Sequence, residues 1–242
     1  MSETFTLKSR SSTFSIDFPT PIVLDPNYEY GLALIGFYSY NTIPNIEEGT
    51  KFKYYSKGND TPHFITIPTG TYEITDLEAY LKNQLSSDIK EDFGDELFFL
   101  RPNNNTLKCE LFFRDYDIDF RRGYTKLANL LGFSPGLLAA GKVHASDLPV
   151  NIIKVRTIHI DCNIIGGSYY YDKPSHTLYE FPITSDPGYA IDEVPRNLIY
   201  LPVIRREINN ITLEALDQNF EPINFRGEET LIRLELKKLW SL

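Results

Sequence analysis

Residues 232–237, which read IRLELK, alternate strictly between aliphatic and charged side chains. Segment 211–215, which reads ITLEA, also places apolar residues at every second position. Side chains of a β-strand point alternately to the two faces of a sheet, so both segments predict strands with one dry and one wet face. The residues between them, 217–228, are rich in Asp, Asn, Pro and Gly, which favour turns. We therefore predict a long antiparallel pair of strands joined by a shaped loop.

The same alternation recurs upstream and identifies most of the chain as β structure. Segment 14–18, FSIDF, predicts a first strand over residues 5–18 that stops at Pro19 and Pro21. The nearly unbroken apolar run 28–40 predicts a strand that is buried on both faces. Further strands are predicted at residues 51–55, 97–100, 107–113, 150–165 and 198–203, and polar loops at residues 57–60 and 91–96.

Two short helices are predicted between strands. Thr75 is a suitable cap for a helix over residues 76–86, which carries one apolar stripe. Thr125 is a suitable cap for a second helix that ends at Gly132. The stripe of the first helix is formed by Leu77, Tyr80, Leu81 and Leu85.

Helices do not alternate one for one with strands, so a doubly wound α/β fold is excluded. About eight to ten strands in two facing sheets predict an all-β fold, namely a single jelly-roll antiparallel sandwich with one or two short inserted helices. We expect residues 1–242 to form a single jelly-roll domain. The residues predicted to face its core are Phe14, Ile16, Leu34, Phe37, Ile158, Ile160, Leu213, Ile232, Leu234 and Leu236.

Charge and composition restrict the possible partners. The 242 residues carry a net charge of −9, which argues against specific nucleic-acid binding and against an anionic membrane surface. No run approaches the roughly 20 apolar residues that a membrane span needs, so no membrane insertion is expected. Residues 1–10 are polar and predict no signal peptide. Cys109 and Cys162 lie in apolar segments and are interpreted as buried thiols.

No arrangement of residues typical of catalysis appears. The four histidines are not spaced as metal ligands, and His159 is predicted to point outward to a surface or interface. Asp115, Asp117 and Asp119 alternate and are interpreted as a solvated strand face, because a calcium loop would need a Gly and a Glu that are missing. We therefore expect no enzyme activity, no metal and no cofactor. The number of carboxylates leaves a glycosidase on a sandwich open.

Three segments together resemble a known family. They are IPTGTY at 67–72 followed by DLEAYL at 76–81, then LANLLGF at 127–133, and finally the residues around 211–213, 217–218, 223–229 and 233–236. In this order they are similar to the single jelly-roll minor capsid (penton) proteins of Polinton/Maverick elements and adintovirus-like viruses. The resemblance covers about residues 60 to 240, and each segment by itself also fits generic β structure.

The resemblance implies a structural protein of a double-stranded DNA virus. It implies a homopentamer at the vertices of an icosahedral capsid that is built with a double jelly-roll major capsid protein. It also implies a place in the virion after assembly inside the host cell, and no catalytic residues. The alternative from a different class is a carbohydrate- or receptor-binding jelly-roll module.

Tyrosine-rich segments are the candidates for subunit contacts. Three adjacent tyrosines cannot all enter one core, because consecutive residues of an extended chain point to opposite sides. Tyrosine also provides a large contact area at a small cost in conformational entropy. The predicted subunit interface consists of Tyr169, Tyr170, Tyr171, Tyr179 and Phe181.

Overall fold

The computed structural model describes residues 2–56, 61–89, 94–121 and 123–241. The predicted loop 57–60 and residues 91–93 of the second polar loop lie outside the described residues. The elements in chain order are β1 (Ser2–Ser9), β2 (Thr13–Val23), β3 (Tyr28–Tyr40), β4 (Lys51–Ser56), β5 (Pro62–Thr66), α1 (Ile74–Ile89), β6 (Phe98–Asn103), β7 (Lys108–Phe113), β8 (Tyr116–Asp119), α2 (Thr125–Leu131), β9 (Leu137–Leu138), β10 (Val143–Ala145), β11 (Thr157–Cys162), β12 (Ser168–Tyr170), β13 (Lys173–Ser175), β14 (Thr177–Pro182), β15 (Ala190–Glu193), β16 (Leu201–Pro202), β17 (Glu207–Leu216) and β18 (Thr230–Ser241).

The chain divides into two compact units. The first consists of Met1–Ile43 and Val155–Leu242, and the second consists of Pro44–Lys154. The second unit is a continuous insertion between β3 and β11. The single jelly-roll domain over residues 1–242 stays a prediction. Each unit has its own apolar cluster.

The first unit is an antiparallel jelly roll. One sheet has the strand order β1-β18-β3-β15, with the short β16 also on β3, and the other has the order β14-β11-β17-β2. The eight main strands of this unit can be renumbered 1 to 8 in chain order, which are β1, β2, β3, β11, β14, β15, β17 and β18. The two sheets then have the orders 1-8-3-6 and 5-4-7-2. This is the strand order of two interleaved Greek keys, so the all-β, single jelly-roll sandwich predicted from the sequence is confirmed.

The core of the jelly roll lies between these two sheets. Of the ten residues predicted to face it, nine are buried and the tenth, Ile16, is half-buried against the same cluster. Phe37 at the centre contacts Phe181 and Phe225, with ring centroids 5.1 Å and 6.2 Å apart. Strand alternation therefore identified the dry faces of β2, β11, β17 and β18 correctly.

Some predicted strand bounds and one predicted pairing in this unit are wrong. Residues 5–18 form parts of two strands, because β1 ends at Ser9 and β2 continues through Pro19 and Pro21 as far as Val23. The strands β17 and β18 do not pair with each other: β17 lies between β11 and β2, and β18 lies between β1 and β3. Alternation fixes the face that a strand buries but carries no information about its partner. The long loop after β17 allows the chain to cross to the other sheet.

The second unit contains the sheets β5-β4-β8-β9 and β10-β7-β6, which share one apolar core with both helices. The predicted pair of strands around residues 101–106 is present as β6 and β7. Helix α1 buries Leu77, Leu81 and Leu85 on one side, as its apolar stripe predicts. This helix packs on β6.

Both helix caps differ from the prediction. Helix α1 begins at Ile74, and the Asp76 carboxylate accepts a hydrogen bond from the Glu73 N–H at 3.2 Å, so Thr75 lies inside the first turn. Helix α2 begins at Thr125 itself, with Tyr124 at the cap position. Its predicted end is confirmed, because Gly132 takes the left-handed conformation that closes the helix.

Candidate interaction surface

The three adjacent tyrosines lie on a short hairpin. β12 pairs with β13, so that Tyr169 is opposite Pro174 and Tyr170 is opposite Lys173. Tyr171 occupies the turn with φ +54°, an uncommon conformation for a bulky side chain. Tyr169 is 72% exposed and Tyr171 is 88% exposed, so the hairpin presents two tyrosine rings to solvent.

Tyr170 belongs instead to an aromatic cluster on the outer face of the second sheet. Its ring meets Phe220 edge to face at 4.6 Å, and Phe220 stacks on His159 at 4.9 Å. Phe220 also has a positive φ, +62°, in the loop after β17. We call Tyr169, Tyr170, Tyr171 and Phe220 together the tyrosine surface.

His159 is placed differently from its predicted environment. Its neighbours Ile158 and Ile160 enter the core, so the imidazole does point to the outer face of the sheet, but the aromatic cluster leaves it only 4% exposed. Nδ1 lies 3.2 Å from Glu180 Oε2, although among the described residues this atom makes no hydrogen bond of good geometry. The histidine is a buried support for the tyrosine surface rather than an exposed contact residue.

Tyr179 and Phe181 do not lie on the tyrosine surface. Their segment forms β14, which pairs with β11 in the second sheet. Phe181 is a core residue, 3% exposed. The Tyr179 hydroxyl donates to Glu193 at 2.9 Å, and burial together with this carboxylate raises the pKa of Tyr179 to about 12. Of the five predicted interface residues, Tyr169, Tyr170 and Tyr171 are therefore exposed, Tyr179 is half-buried and Phe181 is buried.

A second exposed apolar segment was not predicted. Residues 194–206 read VPRNLIYLPVIRR, and the strand expected at 198–203 is reduced to Leu201–Pro202. Ile199 is 60% exposed, and the other large apolar residues exposed in this segment are Val194, Leu198 and Ile204. We call residues 194–206 the arginine segment. The signal in the sequence that could have predicted this exposed segment is the combination of aliphatic residues with arginines and no acidic residue.

The arginine segment is anchored on the first sheet by Tyr200. The Tyr200 hydroxyl donates to Glu235 at 2.6 Å, and the Lys237 ammonium lies 5.1 Å from the centre of the ring. Glu235 and Lys237 alternate with the core residues Leu234 and Leu236 on β18. Tyr200 therefore covers the outer face of the first sheet.

The second unit contains an ionic cluster around Asp119. This residue is buried, contrary to the prediction of a solvated strand face, whereas Asp115 is exposed as predicted. The carboxylate forms ion pairs with the Lys53 Nζ at 2.9 Å and with the Arg121 Nε at 2.8 Å. It also accepts a hydrogen bond from the Tyr55 hydroxyl at 3.2 Å. Burial opposes ionisation, but the hydrogen bonds from Arg121 and Lys53 outweigh it and hold the pKa of Asp119 well below its usual range. A carboxylate held ionised in this way is suited to a structural role.

A small pocket of about 210 Å³ also lies in the second unit, with Ile46 and Leu130 among its lining residues. The Glu47 carboxylate binds Lys126 at 3.4 Å and also contacts Lys154, so these charges at the pocket are partly neutralised. Asn129 and Asn151 line it as well. Within residues 2–56, 61–89, 94–121 and 123–241, no cluster of three or more His, Cys, Asp or Glu could hold a metal ion, and no helix has the length and hydropathy of a membrane span.

These features define the chain as a single jelly roll with a compact insertion between its third and fourth main strands. Among solved structures, it is similar to the crystal structure of the selenomethionine-labelled mavirus penton protein. The similarity has a TM-score of 0.50 at 14% sequence identity and covers 99% of both chains. It confirms at the level of the fold the resemblance seen in the sequence. No protein-family model and no curated protein sequence matches the chain.

Proposed function

We propose that this chain is a structural capsid protein, a penton or minor capsid protein. The observation that carries the proposal is the similarity in fold to the mavirus penton protein, which covers 99% of both chains. It therefore extends over the inserted unit as well as the jelly roll. In this proposal the chain has no enzyme activity and requires no cofactor.

The proposed assembly is a homopentamer at the vertices of an icosahedral shell. A ring needs heterologous contacts, in which one surface of a subunit meets a different surface of the next. The tyrosine surface supports this role, because exposed aromatic rings are enriched at interfaces and lose little entropy when they are ordered. Tyr169 and Tyr171 are the proposed contact residues, and Tyr170 supports them.

The proposed second partner is a double jelly-roll major capsid protein of a Polinton-like double-stranded DNA virus, and the proposed location is the virion capsid after assembly inside the host cell. Specific binding to nucleic acid and membrane insertion are not part of the function. The net charge of −9 supports the first of these exclusions.

The oligomeric state of the purified full chain tests the proposal. Light scattering after size-exclusion chromatography is expected to show five copies, either alone or after addition of the major capsid protein. Tyr171→Ser should weaken this assembly while leaving the thermal unfolding of the monomer unchanged, because the ring is 88% exposed. A wild-type chain that stays monomeric at high concentration with the capsid partner would contradict the proposal.

The matched variant Tyr170→Ser separates assembly from folding. Tyr170 packs on Phe220 and lies over His159, so its loss should expose the buried imidazole and lower the unfolding temperature. If both variants lowered the unfolding temperature of the monomer by the same amount, both tyrosines would stabilise the fold. The proposed interface would then be wrong.

A second candidate function is a carbohydrate- or receptor-binding module. The pocket of the second unit favours it, because Asn129, Asn151, Lys126 and Lys154 bring hydrogen-bond donors to an opening of about 210 Å³. A glycan array with the full chain separates the two functions. Binding that is lost in Asn129→Ala, in a chain that remains monomeric, would favour the module over the capsid protein.

A further inference from the structure

We propose that the pocket of the second unit binds a single sugar ring that carries one negatively charged group. The inference rests on the second candidate function, the carbohydrate-binding module, and it names the class of ligand. A chain that binds such a ligand is also free to assemble with other copies. The inference and the proposed capsid function can therefore fail separately.

Three segments of the second unit form the pocket, and hydrogen bonds between them fix its shape. They are residues 45–50, helix α2 and residues 151–154. The Asn151 N–H donates to the Leu130 carbonyl oxygen at 2.8 Å, which joins the third segment to the helix. The Asn45 amide donates to the Ile152 carbonyl oxygen at 3.2 Å, which joins the first segment to the third. The pocket is therefore formed before a ligand enters, as most small-molecule sites are.

The size and the apolar lining of the pocket suit one small ring. Its volume of about 210 Å³ is smaller than the roughly 300–1,000 Å³ of pockets that hold drug-sized molecules. Ile46 and Leu130 line it and are both buried, so they offer an apolar wall to the C–H groups of a ring. A single sugar ring fits these dimensions better than a longer chain of sugars.

Asn129 and Asn151 bring polar groups to the same pocket. Both residues are exposed, and in the part of the chain that the structure describes neither side-chain amide makes a hydrogen bond to the protein. Each amide has two N–H donors and one carbonyl acceptor, and a hydroxyl group both donates and accepts. The hydroxyl groups of a sugar are therefore suitable partners for both amides.

Two ammonium groups at the pocket favour a ligand with a negative charge. The Lys126 Nζ lies 3.4 Å from the Glu47 carboxylate and also donates to the Glu48 carbonyl oxygen at 3.2 Å. Lys154 contacts the same Glu47 carboxylate. Among the described residues that line the pocket, Glu47 alone is acidic, so one positive charge is left in excess.

Glu47 acts in this proposal as an internal competitor of the ligand. Its side chain is 43% exposed, and those of Lys126 and Lys154 are 58% and 43% exposed. Ion pairs between groups this exposed contribute little to stability, so they exchange readily. A carboxylate or phosphate group of the ligand would take the place of Glu47 beside the two ammonium groups, while the ring contacts the amides.

Four probes test this recognition in the full chain by ligand-detected NMR titration. Glucuronate is expected to bind roughly tenfold more tightly than glucose, because a hydrogen bond to a charged group is stronger than one to a neutral group. Acetate carries the charge without the ring and should bind more weakly than glucuronate. Glucose 6-phosphate carries a phosphate in place of the carboxylate, and its affinity relative to glucuronate identifies the preferred charged group.

Substitutions at the charged residues assign the binding to this pocket. Lys126→Gln and Lys154→Gln should each weaken the binding of glucuronate by roughly tenfold and leave that of glucose unchanged. Glu47→Gln should instead tighten the binding of glucuronate by roughly threefold, because it removes the competitor. Lys142→Gln is the control, on an exposed residue of the second unit that does not line the pocket, and should change neither affinity.

Thermal unfolding identifies any variant that does not fold, and the salt dependence of the wild type then tests the same charge. Raising the salt concentration should weaken the binding of glucuronate and leave that of glucose unchanged, because salt screens exposed charges. Equal affinities for glucuronate and glucose would show that the lysines do not recognise the ligand. Equal affinities for glucuronate and acetate would show that the ring is not recognised.

Two further results would overturn the inference. Weaker binding of glucuronate to the Glu47→Gln variant would show that Glu47 does not compete with the ligand. A chain that forms pentamers but binds none of the four probes would remove the sugar site and leave the capsid function standing. Binding of glucuronate through both lysines by a chain that stays monomeric would support the inference and contradict the capsid function.

Discussion

Leu234 lies at the centre of the first sheet of the jelly roll, where Phe5 on β1 and Leu34 on β3 are its cross-strand neighbours. All three side chains belong to the core, and Leu234 is fully buried. A leucine in this position contributes both the transfer of its own surface out of water and the filling of space that its neighbours cannot occupy.

We predict that Leu234→Ala lowers the free energy of unfolding by about 2–5 kcal/mol, because it leaves a cavity between the two sheets. Urea unfolding measures the change. Val23→Ala, on an exposed residue of β2, is the matched control and should cost less than about 0.5 kcal/mol. Equal effects of the two substitutions would show that Leu234 does not fill the core.

Asp119 makes the stability of the second unit depend on pH. Its pKa is lowered in the folded chain by Arg121 and Lys53, so ionisation of this carboxylate stabilises the folded state. The contribution is complete above the ordinary carboxylate pKa of about 4 and is lost as the pH falls toward the lowered value. Lys53 is the partner that would be left without its buried counter-charge.

We predict that Asp119→Asn destabilises the chain by about 3 kcal/mol at pH 7, because Lys53 and Arg121 then lose a buried carboxylate. The difference from the wild type should be constant above about pH 5 and should shrink below about pH 4. Chemical unfolding measured at a series of pH values gives both curves. The control is Asp115→Asn, on an exposed residue that pairs with Arg114. It should change neither the free energy of unfolding at pH 7 nor its dependence on pH. A difference that grew at low pH would contradict the ionised state of Asp119.

At the scale of the element, helix α2 depends on a glycine at its end. Gly132 has φ +80°, and a methyl group added there would lie 2.2 Å from the Leu148 carbonyl oxygen. Gly49 has a similar φ of +76° but has no atom within 4 Å of the same position. A comparison of substitutions at the two glycines therefore distinguishes the cost of a positive φ from the cost of a steric overlap.

We predict that Gly132→Ala lowers the unfolding temperature clearly more than Gly49→Ala, because only the first adds a collision with backbone to the strain of a positive φ. The second substitution should cost about 1 kcal/mol. Differential scanning calorimetry of both variants gives the comparison. Equal shifts would show that the loop around Leu148 moves freely to make room.

From the sequence, the alternation of apolar and polar residues predicts the presence of a strand and the face that it buries, but not the strand with which it pairs. The dry faces of β17 and β18 follow from the alternation of apolar and polar residues, because side chains of a strand alternate between its two faces. The partner of a strand depends on residues far along the chain, which is why β17 and β18 were paired wrongly. The exposure of the tyrosine hairpin followed from its composition, but the burial of His159 did not, because Phe220 reaches it from another loop.

At the scale of the whole molecule, the insertion has the properties of an independent unit. Residues 44–154 have their own core, and their two ends are held together by Asn45, whose side-chain amide donates to the Ile152 carbonyl oxygen at 3.2 Å. Adjacent ends are what an inserted domain requires of its host. The sequence did not mark these boundaries, since strands and turns look alike in both units.

We predict that residues 44–154 expressed alone fold into a stable β-rich unit with a cooperative thermal transition, because their core is formed within the segment. Circular dichroism and dispersed amide signals in NMR spectra would show it. The jelly roll with this segment replaced by a short glycine-serine linker is the complementary protein and should keep its own transition. An unfolded isolated segment would contradict its independence.

The position of β18 between β1 and β3 has a consequence for the order of events during synthesis. β1 and β3 are synthesised before β18, and both pair with it. The edges on which β18 pairs therefore remain unpaired until residues 230–241 have been synthesised and have left the ribosome. Residues 44–154 need no later partner for their core and can fold in this interval. Pairing over such sequence distances is slow, and waiting strand edges are prone to aggregate. Until β18 is synthesised, the strand edges of β1 and β3 are therefore open to association with other chains.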